Sequence, residues 1–207
     1  MHAFKTFLVG LILLAWSLPA LADEPPGPRQ VVERVTQEVL DLLDEQADEL
    51  LEDRVALYEA IEPIVGPHVA VERVAEQILG PHWRRADPEL QERFLVAFER
   101  SLVRTYGSTI GEYRGLDVRV LGVRRDPNRD NVAQVGMDIR TGSGSPARVL
   151  YEMERQEDGH WRLINLTAEG ISLVQNYRED FRSRLRERSL EEEVERMERR
   201  NTDAGLQ

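Results

Sequence analysis

The chain has 207 residues, 31% of them charged, with 38 acidic side chains against 27 lysines and arginines and a net charge of −11. That average charge makes a poor partner for nucleic acid or for anionic membrane, since both attract basic surfaces. No cysteine occurs, which excludes disulfides, thiolate metal sites and thiol catalysis.

Residues 1–22 read as a secretory signal peptide. His2 and Lys5 form a short n-region, an apolar run extends from Phe7 to Leu18, and Ala20-Leu21-Ala22 is a small-x-small cleavage site. The run is short and ends at Pro19, so it does not read as a permanent membrane anchor. Asp23 follows the cut, leaving no cysteine to carry a lipid. Removing 22 of the 207 residues leaves 185, enough for one domain with a core. Lys5 is the only lysine, so the mature net charge moves from −11 to −12. The expected product is exported, and in a bacterium its compartment is the periplasm.

Residues 23–28 form a stiff leader, and a single domain is expected over 29–200. Pro28 is placed to open a helix, along which Val32, Val35, Val39, Leu42 and Leu43 keep amphipathic spacing. Breaks are expected at Pro63, Gly66-Pro67 and Gly80-Pro81, each Gly-Pro pair being a stop followed by a new start. Asp87-Pro88-Glu89 supplies an N-cap, an N1 proline and a first-turn acid. The helix it opens carries Leu90, Phe94, Phe98, Leu102, Tyr106 and Ile110. Steps of four residues advance ~40° each, so this stripe sweeps roughly half the circumference. Such a helix covers a sheet and also lines something beside it.

After Gly115 the period becomes two. Val118 and Val120 alternate with polar residues, as do Ala133, Val135, Met137 and Ile139, and then Val149, Tyr151 and Met153. Asp158-Gly159 reads as a hairpin turn, with a returning strand from His160 to Thr167. The expectation is a four-stranded antiparallel meander flanked by helices, an α+β fold. Gly170 to Tyr177 then holds no acid or base besides its tyrosine. Ile171, Val174 and Phe181, with Leu173 and Tyr177 beside them, resume helical spacing. Beyond them Leu190, Val194 and Met197 are the only apolar stripe of an Arg/Glu-rich stretch. It reads as a surface helix laid loosely on the body, with a flexible tail over 201–207.

No reactive centre is nominated. His68 and His82 both occur in Gly-Pro-His and read as helix starts rather than metal ligands, and His160 is distant from both in sequence. Thr141-Gly-Ser-Gly-Ser-Pro146 lies between predicted strands and reads as a hairpin loop rather than a phosphate cradle. No His-Glu-x-x-His, Gly-x-Ser-x-Gly or Walker loop is present. An apolar inventory without reactive groups suits either a solid core or a cavity for an apolar ligand. Periodicity alone favours the solid core.

Two long stretches add a resemblance. "ILGPHWRRADPELQERFLVAFERSLVRTYGSTIGEYRG" (78–115) and "GHWRLINLTAEGISLVQNYREDF" (159–181) resemble the MlaC, or toluene-tolerance auxiliary, family of periplasmic phospholipid carriers. The carrying residues are Leu79-Gly80, Trp83-Arg84, Phe94, Tyr106, Tyr113, Gly115, Trp161 and Gly170 to Arg178 with Phe181. The chain departs from the family at Ala70 and Val71, where an aspartate and an aromatic are common.

The resemblance implies a curved antiparallel sheet and surrounding helices enclosing a cavity for acyl chains. On that basis the helical lining is Leu79, Trp83, Phe94, Phe98, Leu102, Tyr106, Ile110 and Tyr113. The sheet adds Val135, Met137, Ile139, Val149, Tyr151 and Met153, and the closing segment adds Ile171, Val174 and Tyr177. Gly170 would permit the sharp exit from the last strand. Ile171 and Val174 would face inward, with Gln175 and Asn176 bonding backbone at the join. The implied cargo is phospholipid, with a hopanoid as alternative. The implied partners are an inner-membrane ABC lipid-transporter complex and an outer-membrane lipoprotein-porin complex, met by a monomer without cofactor, metal or catalytic activity. A periplasmic adaptor with a solid core and no lipid is the competing class.

Overall fold

The computed structural model describes residues 25–50, 52–110, 115–140 and 145–206. The expected signal peptide, the first two leader residues, Tyr113 and most of the 141–146 loop lie outside the described residues. Among those described, no helix is long and apolar enough to cross a membrane.

Local chemistry accounts for most element ends. Helix α1 (Pro28–Leu50) opens on its proline. Helix α2 (Arg54–Val65) is capped by Asp53, whose carboxylate accepts from the backbone of Val55 at 2.8 Å and Ala56 at 3.2 Å. No break occurs at Pro63. It sits in the last turn of α2, where only one backbone donor is missing, and the helix continues to Val65. Gly66-Pro67 opens a 3₁₀ turn, η1 (Gly66–His68). Helix α3 (Val71–Leu79) stops at Gly80, whose φ of +56° few side chains would tolerate, and Pro81 starts α4 (Pro81–Arg85). Asp87 caps α5 (Pro88–Ile110), accepting from the Leu90 amide at 2.8 Å.

The sheet has five strands in the order β1 (Asp117–Arg125), β2 (Val132–Arg140), β3 (Ala147–Arg155), β4 (Trp161–Ala168) and β5 (Ile171–Ser172), all antiparallel. The fold is α+β as the pattern predicts. The additional strand β5 is two residues long, formed where the chain leaves β4 and pairs back on Thr167 and Ala168. Two bulges interrupt the register. In β1 the pairing jumps between Val120 and Val123, and Leu121 lies over Gly136, where an added Cβ would approach it to 3.3 Å. In β4, Met153 pairs with Leu163 and Glu152 with Asn165, so Ile164 is the extra residue.

The helices build a second body at the β4 side of the sheet. Helices α6 (Leu173–Arg184) and α7 (Leu190–Asp203) join α3, α4 and α5 around Leu79, Phe94, Phe98, Val174, Phe181 and Val194. This body is stitched to β4 by backbone and amide contacts. Ala70 N donates to Leu163 O at 3.0 Å, and Gln77 Nε2 donates to Ile164 O at 3.1 Å. Helix α7 is not laid loosely on the surface: Leu190, Val194 and Met197 are all buried. Its Glu193 is also fully buried and accepts from Arg184 at 2.8 Å and Arg188 at 3.1 Å. The flexible tail expected from Asn201 is likewise held. Asn201 is buried, donating to Ala97 O at 2.8 Å, and Leu206 is buried beyond it. Pairing of the one buried acid makes this burial of a charged segment tolerable.

Candidate functional site

Helix α1 lies across the β1–β4 sheet, and between them is a cavity of about 370 Å³, within the ~300–1,000 Å³ typical of ligand pockets. Helix α1 contributes Val31, Val32, Val35, Thr36, Val39, Leu40 and Leu43; α2 and η1 close one side with Ile61, Val65 and His68. The sheet contributes Val118, Met137, Ile139, Val149, Tyr151, Met153, Leu163, Leu166 and Ala168. From Val31 to Leu43 the helical wall runs about 18 Å at 1.5 Å per residue. The result is a long apolar trough, shaped for an alkyl chain rather than a compact polar metabolite.

Register explains the sheet side. Met137 pairs with Val149, Tyr151 with Leu166, and Met153 with Leu163, so these side chains share one face. The bulge at Ile164 is what brings Leu163 and Leu166 onto that face although they are three residues apart. Without it, one of the two would point away.

Among the described residues of the lining, only Thr36, Tyr151 and His68 bring polar side-chain atoms. Thr36 Oγ1 donates to the Met137 sulfur at 3.9 Å and Tyr151 OH to the same sulfur at 3.7 Å. Arg34 donates to His68 Nε2 at 3.2 Å. Burial, and then the Arg34 charge, hold His68 below the usual imidazole range, so the ring is neutral. Among the described residues no cluster of three or more His, Cys, Asp or Glu side chains could hold a metal ion.

The residues predicted to line one cavity are divided between two places. Met137, Ile139, Val149, Tyr151 and Met153 lie along the trough. Val135 is fully buried with Val31, Val32, Ala133 and Trp161 at the packed end of the sheet. The helical set is elsewhere, in the body of α3 to α7. Phe94 stacks on Phe98 with centroids 5.5 Å apart, and Phe181 and Tyr177 meet these rings edge-on at 5.5 and 5.1 Å. Trp83, Leu79, Leu102 and Val174 complete that packing. Burial, followed by neighbouring Tyr106, pushes the Tyr177 phenol far up. Tyr106 itself is 37% exposed and Ile171, on edge strand β5, is 66% exposed. Helix α5 is position-defined to Ile110, whose side chain is not described, and Tyr113 lies outside the described residues.

The join after β4 also differs in detail. Gly170 does turn the chain, at φ +84°. Gln175 and Asn176 are exposed, however, and it is Asn165 that ties the join. Its Oδ1 accepts from Ser172 Oγ at 3.0 Å and from the Val174 amide at 3.2 Å. The α1 wall of the trough, from Val31 to Leu43, has no counterpart among the residues expected to line the cavity. Its available signal was a helix rich in valine and free of aromatics, which has lower intrinsic helix propensity and relies on tertiary packing.

Comparisons with known proteins agree with this architecture. Residues 33–199 match the family described as "MlaC protein". The toluene tolerance protein ttg2D of Pseudomonas putida is 29% identical over 173 residues, covering 83% of this chain and 79% of that protein. A solved structure of a phospholipid-binding protein from Ralstonia solanacearum, in complex with a phospholipid, aligns with a TM-score of 0.77. It is 20% identical, over 87% of this chain and 99% of its own, a likeness of fold. The family match extends from the first turns of α1 almost to the end of α7, and the chain belongs to the MlaC family.

Proposed function

We propose that this protein is a periplasmic phospholipid carrier whose acyl chains lie in the trough between α1 and the sheet. The observation that carries the reading is the trough itself: among the described residues twenty line it, and only three of these bring polar side-chain atoms. Membership in the MlaC family and a fold shared with a phospholipid-bound protein support it.

Burial stabilises by ~0.8 kcal/mol per methylene, so two 16-carbon chains gain ~25 kcal/mol over exposure to water. The same chains are equally dry in a bilayer, so transfer between membrane and protein is close to balanced. Direction must come from partners that bind the empty and loaded protein differently. In this reading those partners are an inner-membrane ABC lipid-transporter complex and an outer-membrane lipoprotein-porin complex, between which the monomer shuttles without catalysis. The test is mass spectrometry of an organic extract from protein purified from its exported fraction. Near-stoichiometric phospholipid is expected; a hopanoid would reassign the cargo, and lipid-free protein with a solid core would end the carrier reading.

A further inference from the structure

The three polar lining residues are not equivalent. The hydroxyls of Thr36 and Tyr151 both turn to the Met137 sulfur, inside the trough. His68 instead meets charge, through the Arg34 guanidinium at 3.2 Å from Nε2. Arginine has no acceptor, so Nε2 is the unprotonated nitrogen and the ring proton is on Nδ1. Arg34 is exposed. The pair therefore runs from the lining to the surface.

The electrostatic surroundings of His68 are positive. Arg34 of α1, Arg162 of β4 and His160 just before β4 all act against protonation, and Glu38 alone acts for it. Glu38 reaches Arg34 only at 3.9 Å, and both side chains are about half exposed. Arg162 is held by Asp158 at 2.6 Å and donates to Pro67 O at 3.2 Å, leaving Arg34 as the cation oriented on the ring. In a chain with net charge −11, this side of an apolar trough disfavours a further cation and favours an anion.

We propose that Arg34 and His68 form the anion seat of the trough, receiving the phosphate of a phospholipid head group while its chains lie toward Leu40 and Leu43. The inference rests on the carrier reading. A phosphate oxygen beside Arg34 accepts charge-assisted hydrogen bonds. Its negative charge also offsets Arg34 at the ring, so His68 takes up a proton and becomes a second donor. Few polar groups at one end of an apolar site are what orient an amphipathic ligand.

The test uses the whole protein, wild type beside Arg34→Gln and His68→Gln, incubated with mixed micelles holding equal amounts of phosphatidylglycerol and diacylglycerol. These lipids share their chains and differ in the phosphate. The wild type is expected to retain phosphatidylglycerol in preference, and Arg34→Gln to lower that preference about three- to tenfold, the loss of one charge-assisted bond weakened by the exposure of Arg34. The melting temperature should stay unchanged in this exposed variant. As an independent readout, the imidazole titration of His68, followed by NMR, should move to higher pH in protein loaded with phosphatidylglycerol but not with diacylglycerol. An unchanged lipid ratio in both variants, or a His68 titration indifferent to the phosphate, overturns the seat while leaving the carrier intact. A wild type that takes up neither lipid overturns the carrier reading itself.

Discussion

Met137→Arg separates a cavity from a solid core at a single position. Met137 is 5% exposed and faces the trough between Thr36 of α1 and Tyr151 of β3. Losing its burial costs about 1.5–3 kcal/mol. In a sealed core, the unpaired guanidinium would add several kcal/mol, enough to exhaust a domain stability of ~5–15 kcal/mol. Inside a trough that opens to solvent or to a lipid head group, the longer side chain carries its charge outward and avoids most of that second cost. The aromatic body around Phe94, Phe98 and Phe181 does not include Met137. The expected variant is therefore folded, with Tm lowered by roughly 3–12 °C at ~2–4 °C per kcal/mol, and empty of lipid. Thermal melting and lipid quantification on the same sample decide the matter. An unfolded variant would mean that the position is sealed core; a folded one with full lipid would mean that the cargo lies elsewhere. Phe94→Ala is the contrasting control, costing about 3–5 kcal/mol by cavity formation and reducing lipid only in proportion to the protein that unfolds.

Three further outcomes follow from groups outside the trough. Glu193→Ala removes the buried carboxylate that holds Arg184 and Arg188, and should destabilise by about 3 kcal/mol without altering which lipid is bound, as read by denaturant unfolding and lipid extraction. Asn201→Ala loses the bond to Ala97 O and the acceptor shared by Ser101 and Arg104, and should cost about 1–3 kcal/mol in the same unfolding assay, whereas a frayed tail would register nothing. Glu99, on α5 near Glu62 of α2, has its pKa raised by burial first and by Glu62 second. A raised folded pKa means the proton is held more tightly in the folded state, so this contribution is present below the ordinary glutamate range and is lost as pH rises through the raised value. Glu99→Gln should thus melt higher than wild type at neutral pH, and the difference should shrink on acidification. The carboxylates with lowered pKa, such as Glu198 beside Arg93, lose stability on acidification in both proteins and cancel from that difference. A variant no more stable than wild type at neutral pH would show that Glu99 carries no such penalty.

The elements themselves were legible because their causes are local. Asp87-Pro88 caps a helix through contacts within one turn, Gly80 and Gly170 are required by their own positive φ, and alternation of Ala133, Val135, Met137 and Ile139 with other residues states a strand with one apolar face. Periodicity says that a face must be covered; it does not say by what. The stripes of α1 and α5 are both amphipathic, and nothing within either helix tells that α1 meets the sheet while α5 meets α6 and α7. Pairings between segments so far apart depend on chain connectivity and on competition among all apolar faces at once. The bulge at Ile164 is similarly non-local, since it exists only against the register of β3, yet it decides that Leu163 and Leu166 share the trough. Burial of Glu193 likewise needs two arginines brought from α6 and the turn after it. Composition and spacing by themselves thus determined an acidic α+β chain with an excess of apolar face, and tertiary packing decided which of those faces closed into solid core and which left a trough open.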